Sequence, residues 1–171
     1  MAAGLGVKDS LRIRVATPGD AAAVHLLIRG LAEYEGEQDV VKVTPEVLRD
    51  QLALWQPPFE CLLAEREGRP LGLALYYPYY STWQGRPGIH LAVLFVVEEE
   101  RRLGVGMALL GRLAAIAVER ECGSLEFAAL NSNDTAAAFY GRLGATATSD
   151  STLYRITDEA LDSLAATESW A

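Results

Sequence analysis

Residues 101–108 read Arg-Arg-Leu-Gly-Val-Gly-Met-Ala, and this stretch decides the fold because it joins an apolar run to a helical pattern. The preceding residues 89–97 have the composition of a buried strand, whereas residues 107–118 carry apolar side chains at helical spacing. Gly104 and Gly106 therefore lie at a strand-to-helix junction, where the backbone can approach a ligand closely. The unpaired N–H groups and the positive dipole of a helix start favour an anion. The stretch predicts a pyrophosphate-binding turn.

Three known kinds of phosphate-binding turn share this physics, and the spacing discriminates between them. A P-loop ends in Gly-Lys-Ser or Gly-Lys-Thr, whereas this chain has Gly106-Met107-Ala108. A dinucleotide-binding turn needs a third glycine where Leu109 stands, and it lies near the first strand of its domain. The remaining pattern, Arg-x-x-Gly-x-Gly between a strand and a helix, resembles the acyl-CoA pyrophosphate loop of the GNAT superfamily of N-acyltransferases. A plain tight turn at a helix start is the structural alternative.

Length, charge and cysteine content bound the class of protein. The 171 residues suffice for one domain, and we expect a flexible leader over residues 1–10 before a single domain over residues 11–166. A net charge of -8 disfavours nucleic acid and anionic membranes as partners and favours a cationic substrate. Cys61 and Cys122 lack metal-ligand spacing, so we predict reduced thiols, no metal site and a cytoplasmic location. The sequence has no apolar run of membrane-spanning length.

Periodicity and turn residues predict an alternating series of strands and helices. Thr-Pro pairs at residues 17–18 and 44–45 mark helix starts, and a Glu-Gly-Arg turn at 67–69 joins two antiparallel strands. The predicted strands cover residues 11–15, 59–66, 70–80, 89–97, 125–130 and 152–156, with a turn at 85–88. The first predicted helix runs from residue 20 to about 34, and the others cover residues 44–54, 107–121, 133–143 and 159–165. This order predicts an α/β fold with a mixed, mostly antiparallel sheet, one parallel strand pair and helices on both faces.

A second motif lies about thirty residues further along the chain, between Asn133 and Ala145. It reads Asn-x-x-Ala-x-x-x-Tyr-x-x-x-Gly-Ala, a pattern that recurs in GNAT enzymes with the tyrosine beside the thioester sulfur. The resemblance implies that Tyr140 is the acid that protonates the leaving thiolate, and a phenol with a pKa of about 10 suits that task. The structural alternative is that Tyr140 packs with Phe139 on an amphipathic helix.

The GNAT resemblance also implies how acetyl-CoA is held. Backbone N–H groups near the end of the strand over residues 89–97 bind the pantetheine arm and polarise the thioester carbonyl, provided that the two parallel strands splay apart. The implied cofactor-binding residues are Leu94, Phe95, Val96, Arg101, Arg102, Leu103, Gly104, Val105, Gly106, Met107, Asn133 and Tyr140.

Further residues narrow the resemblance to the diamine acetyltransferase branch of GNAT enzymes, over residues 11–156. They are the segment Leu-Ala-Glu-Tyr-Glu at 31–35, the pair Tyr76-Tyr77, and the segment Tyr-Ser-Thr-Trp-Gln-Gly-Arg at 80–86. In that branch the acidic end of the first helix and the aromatic loop contribute to the amine pocket, which implies Tyr34, Glu35, Tyr80 and Trp83 as substrate contacts. Carboxylates and aromatic faces suit an ammonium group. The alternative is that residues 33–39 form only a solvated acidic loop.

Two pairs of residues depart from the branch, and the usual Trp-Asn after the fifth strand is Ser132-Asn133 here. Relatives carry a Glu-Asp pair, the general base and substrate clamp, where this chain has Ala92 and Val93. Strand alternation places His90 on the face of Ala92, and histidine titrates in the useful range, so His90 is the predicted base. Glu126 on the adjacent strand is the second candidate, acting through water. An acceptor amine of low pKa would need no base, and a strand histidine at the cleft edge is the structural alternative for His90.

The leading functional hypothesis is a cytoplasmic N-acetyltransferase that moves an acetyl group from acetyl-CoA to a small primary amine by direct attack. The acceptor is a diamine, an amino acid or an amino sugar, and the resemblance implies a homodimer. One alternative is a non-catalytic acyl-CoA-binding domain. The other is an acetyltransferase acting on a protein's lysine or N-terminus, for which the aromatic segment 76–83 is the discriminator, since it would close the cleft to peptides.

Overall fold

The structure, a computed structural model, describes residues 10–148 and 152–168. Two compact units divide the chain, the first over Met1–Ala128 and the second over Ala129–Ala171. Residues 1–9 of the predicted leader lie outside the described residues. Each unit is described by itself below.

The first unit contains a five-stranded sheet whose strands are neighbours in chain order. The strands are β1 (Arg12–Val15), β2 (Glu60–Arg66), β3 (Arg69–Ser81), β4 (Arg86–Val96) and β5 (Leu125–Phe127). The first three pairings are antiparallel, and β4 pairs with β5 in parallel. The predicted mixed, mostly antiparallel sheet is therefore confirmed.

Helices α1 (Ala21–Glu35) and α2 (Pro45–Leu52) connect β1 to β2. A short 3-10 turn leads into α1, and the Thr17 N–H donates to the Asp20 carboxylate at 2.8 Å. The Thr44 hydroxyl accepts a hydrogen bond from the Val47 N–H at the start of α2, as its position before a proline predicts. Both Thr-Pro helix starts are thus confirmed, with the true helix α1 beginning after the 3-10 turn.

The core lies on both faces of the sheet. On one face, α1 and α2 pack on side chains that include Cys61, Leu63 and Leu73. On the other face, helix α3 (Val105–Glu119) packs on Gly72, where an added Cβ would lie 3.2 Å from the Leu109 side chain. Alternation along β3 places Leu73 and Gly72 on opposite faces, so α1 and α3 cover opposite sides of the sheet.

The second unit contains helices α4 (Asp134–Arg142) and α5 (Asp158–Ala165). The Asn133 side chain accepts a hydrogen bond from the Ala136 N–H at 3.0 Å, so this residue is the N-cap of α4. The predicted late strand over 152–156 is wrong, because those residues form no strand in the structure. Among the described residues no strand pairs with them.

Several element boundaries also differ from the sequence prediction. Strand β4 begins at Arg86, not at 89, because residues predicted as a turn pair with β3, Ser81 opposite Arg86 and Tyr80 opposite Pro87. Strand β5 ends at Phe127, three residues early, where its pairing with β4 ends. Helix α2 ends at Leu52. In the described part of the chain, no helix has the length and apolar character that crossing a membrane requires.

Candidate active site

The N-terminus of α3 is built to hold an anion. Gly104 is its N-cap, with a φ of +88°, and a Cβ there would meet nothing within 4 Å. The first hydrogen bond into the helix runs from Ala108 N–H to Gly104 C=O at 2.9 Å. The N–H groups of Val105, Gly106 and Met107 accordingly have no acceptor among the described residues, and they point outward with the helix dipole behind them. This open set of donors fits a diphosphate group.

The Arg101 side chain fastens this loop to two other elements. Its Nε donates to the Val96 carbonyl at 3.0 Å, and its guanidinium lies 4.5 Å from the Tyr34 ring centroid. The same guanidinium lies 5.7 Å from the Phe95 ring. Helix α1 comes close enough for this contact because Gly30 faces Phe95, where a Cβ would lie 2.7 Å from the ring. Arg101 therefore joins the loop, the end of β4 and the end of α1.

The edge of β4 beyond residue 91 is open on the β5 side in the sense that no described strand pairs with it there. The parallel ladder has three pairs, the last of them between Leu91 and Phe127, and residues 92–96 of β4 continue without a β5 partner. Backbone groups of an unpaired strand edge are available to a ligand. The β4–β5 pairing thus ends where β5 ends, and Leu94, Phe95 and Val96 lie on the part of β4 beyond it.

A β-bulge lies within the open edge of β4. Leu75 pairs with Val93 and Tyr76 pairs with Leu91, so Ala92 is an extra residue on β4. The alternation expected between His90 and Ala92 is interrupted at this point, and the register places His90 on the face of Val93 instead. The prediction that His90 and Ala92 lie on one face of the strand is therefore wrong, because a bulge breaks the alternation of side chains between the two faces.

Four polar or aromatic side chains share one face of β3, β4 and β5. Tyr77 is opposite His90 in the antiparallel register, and their rings stack with centroids 4.9 Å apart. His90 is in turn the parallel partner of Glu126. Tyr79 extends the row, since its hydroxyl donates to the Glu126 carboxylate and lies 2.7 Å from the Ser124 hydroxyl oxygen. The structure thus brings together the two candidate bases, His90 and Glu126.

Sequence reasoning missed Tyr77, Tyr79 and Ser124. The signal was present in the hairpin, because the four-residue connection over 82–85 fixes the β3–β4 register once both strands are extended to it. Counting outward from the pair Ser81 and Arg86 places Tyr79 opposite Gly88. The turn predicted at 85–88 concealed that register.

The four predicted substrate contacts do not lie together within one chain. Tyr34 lies under Arg101 at the Val96 end of β4, and Glu35 is the last residue of α1. Tyr80 and Trp83 belong to the hairpin at the other end of β4, where Trp83 is 98% exposed. Strand β4 has 11 residues, which is roughly 30 Å of extended chain.

In the second unit, Tyr140 lies on α4 with its ring 5.5 Å from that of Phe139. Tyr140 is half-buried, and burial raises the pKa of its phenol. Because the neutral form is favoured, the hydroxyl keeps its proton at neutral pH and is a donor. Asn133 caps the same helix, so both residues of the second motif lie on one element.

The described residues contain no group of three or more His, Cys, Asp and Glu side chains placed to hold a metal ion. Cys61 is buried and Cys122 half-buried, and neither forms a disulfide. Burial raises the pKa of Cys61 to about 12, so this thiol is protonated at neutral pH.

Comparison with known proteins decides the family. Residues 28–145 match the Acetyltransferase (GNAT) family, and this is more than half of the chain. This chain belongs to the GNAT family. It is 38% identical over 144 residues to thialysine N-epsilon-acetyltransferase of Sus scrofa, and the aligned region covers 80% of this chain and 84% of that protein. The predicted family, its branch and the enzyme class are confirmed.

Solved structures share the fold of this GNAT acetyltransferase. Integron cassette protein VCH_CASS6 of V.cholerae has a TM-score of 0.76 at 23% identity, covering 91% of this chain and 98% of that one. Aminoglycoside N-acetyltransferase AAC(6')-Iy, in complex with CoA, has a TM-score of 0.69 at 16% identity, covering 86% and 95%. GNAT acetyltransferases take the acetyl group from acetyl-CoA, so the predicted cofactor is confirmed.

Proposed function

We propose that this GNAT acetyltransferase moves the acetyl group of acetyl-CoA to the primary amine of a small molecule. The observation that carries the proposal is the open N-terminus of α3, where three main-chain donors stand free beside a glycine N-cap. The relative named for thialysine supports an amine acceptor. A non-catalytic acyl-CoA-binding domain finds no support in a family whose named relatives are acetyltransferases.

The main-chain N–H groups of Val105, Gly106 and Met107 hold the diphosphate of the cofactor, and the positive charge of Arg102 adds to the attraction. The open edge of β4 at Leu94, Phe95 and Val96 binds the pantetheine arm through backbone hydrogen bonds. The other residues proposed to contact the cofactor are Arg101, Leu103, Gly104, Asn133 and Tyr140. Acetyl-CoA supplies the acetyl group as an activated thioester.

His90 is the proposed base, and Tyr140 is the proposed acid. His90 lies one residue before the end of the β4–β5 pairing, next to the open edge of β4. Glu126 is the second candidate base, although its carboxylate already accepts a hydrogen bond from Tyr79. Tyr140 keeps its proton at neutral pH and gives it to the leaving thiolate.

The acceptor class follows from what the site lacks. Ala92 and Val93 neither accept a proton nor bind an ammonium group, so an amine that is partly neutral at physiological pH is favoured. Amino acid and amino sugar amines fit this condition better than a polyamine does. The exposed Tyr34 and Glu35 at the end of α1 still attract a cation.

We also propose that the enzyme is a cytoplasmic homodimer. Tyr80 and Trp83 are exposed at the hairpin, far along β4 from Tyr34, so a pocket that uses all of them needs a second copy. Light scattering should give twice the 18.5 kDa mass of one chain. A monomer would remove Tyr80 and Trp83 from the proposed pocket.

Thiol release from acetyl-CoA with a panel of amines tests the function. We expect turnover with at least one amino acid or amino sugar, and a weaker response with polyamines. Replacing His90 by Gln should lower kcat/KM, because the amide cannot take the proton from the attacking amine. Folded protein that turns over no amine would contradict the proposal.

A further inference from the structure

The Tyr79 side chain crosses one strand to reach another. Its residue pairs with Gly88 on β4, yet its hydroxyl contacts Ser124 and Glu126, which lie just before and within β5. A Cβ at Gly88 would lie 2.5 Å from Cζ of the Tyr79 ring. The ring can therefore lie across β4 only because residue 88 is glycine.

Strand β5 is short and has few backbone pairs among the described residues. In the part of the chain that the structure describes, it is a sheet-edge strand of three residues, with three register pairs to β4. Two backbone hydrogen bonds lie at the start of this ladder, from Ile89 N–H to Ser124 C=O at 3.1 Å and from Gly123 N–H to Pro87 C=O at 2.8 Å. So short an edge strand is weakly held by its ladder alone.

We propose that Tyr79 is a positioning residue for acetyl-CoA, because it fixes β5 at the closed end of the open β4 edge. The Tyr79 hydroxyl is both a donor and an acceptor: it donates a hydrogen bond to the Glu126 carboxylate and accepts one from the Ser124 hydroxyl. A charge-assisted hydrogen bond of this kind ties β5 to β3 across β4. The inference rests on the proposed binding of the pantetheine arm along residues 92–96.

The consequence for the cofactor is preorganisation. The pairing of β4 with β5 ends at Leu91 and Phe127, so the position of β5 sets where the open edge begins. If β5 frays, the slot beside β4 must be formed again each time the cofactor binds, and affinity falls. In this assignment Glu126 is the acceptor that holds β5, and His90 keeps the role of base.

The first test replaces Tyr79 by Phe, which keeps the ring over Gly88 and removes the hydroxyl. We expect the Kd for acetyl-CoA, by calorimetry, and the KM for acetyl-CoA to rise about tenfold, while kcat changes less than about twofold. Glu126→Gln keeps an acceptor for the Tyr79 hydroxyl and should have a smaller effect. Tyr154→Phe, at a tyrosine that is 87% exposed, is the matched control and should leave the Kd and the KM unchanged.

The second test uses the close approach at Gly88. Gly88→Ala should displace the ring and raise the Kd for acetyl-CoA as much as Tyr79→Phe does. In a Tyr79→Ala background the ring is gone, so adding Gly88→Ala should leave the Kd for acetyl-CoA unchanged. An unchanged Kd in Tyr79→Phe, or an equal effect of Gly88→Ala in both backgrounds, would overturn the inference. The calorimetric Kd is read without turnover, so a failure of the proposed function is distinguished from a failure of this assignment.

Discussion

Gly104 combines two demands at one residue, a left-handed backbone and an open space above it. Gly104→Ala adds a Cβ that meets nothing, so its cost is backbone strain alone, and we expect the protein to lose about 1 kcal/mol of unfolding free energy. Gly111→Ala is the matched control: it lies inside α3, also with open space, and should stabilise by about 0.5–1 kcal/mol. Urea denaturation measures both. Changes of the same sign would refute the argument.

Tyr140 is the second residue whose role can be isolated. Replacing it by Phe removes the proton donor and keeps the ring beside Phe139, so kcat should fall about 100-fold or more. The Kd for acetyl-CoA should not change beyond about twofold, because the phosphate donors are elsewhere. Steady-state kinetics and calorimetry on the same preparation check both values. A variant with normal kcat would assign Tyr140 to packing only.

At the scale of elements, helix α3 is tied to the sheet at its far end. Arg120 donates to both oxygens of the Glu60 carboxylate on β2, at 2.6 and 2.8 Å, and the buried Tyr76 donates to the same group at 3.2 Å. The Arg120 guanidinium holds the pKa of Glu60 below its usual range. In the unfolded chain the Glu60 carboxylate has its ordinary pKa, so it takes up a proton at a higher pH than it does in the folded protein. The stabilisation is therefore fully present above about pH 4.3 and is lost as the pH falls through the lowered pKa of the folded state.

Arg120→Gln should therefore destabilise the protein by about 1–2 kcal/mol at pH 7, and the difference from the wild type should narrow below about pH 4. The control is Arg112→Gln, which breaks an exposed pair with Glu119 and should cost under about 0.5 kcal/mol. Urea denaturation across the pH range measures both variants. A difference that stays constant down to pH 3 would show that the Glu60 carboxylate is not its source.

Sequence predicted the existence of most elements but not their register. Thr17 and Thr44 predicted two helix starts, because a capping side chain and a following proline favour a helix through contacts with neighbouring residues alone. The bulge at Ala92 and the early end of β5 depend on strand pairing, which no local pattern records. The contact of Tyr79 with Glu126 was not predicted either, because it joins residues of two strands across a third and the turn predicted at 85–88 concealed the β3–β4 register.

At the scale of the whole molecule, two motifs sufficed to predict the family and the acetyl donor, because each places specific chemistry at one helix terminus or face. The shape of the amine pocket was not predictable in this way. The family resemblance assigned Tyr34 and Trp83 to one amine pocket, yet the structure places them at opposite ends of β4. A single domain over residues 11–166 stays a prediction, as do the homodimer and the cytoplasmic location.

The central claim is that the turn at Gly104 and Gly106 binds the diphosphate of coenzyme A. Calorimetric titration of the wild-type chain with coenzyme A and with pantetheine, which lacks the diphosphate and nucleotide, tests it most directly. If main-chain donors at the start of α3 hold the diphosphate, coenzyme A should bind at least about 100-fold more tightly than pantetheine, and added salt should narrow the difference. Equal affinity for the two ligands, or no binding of coenzyme A, would contradict the account.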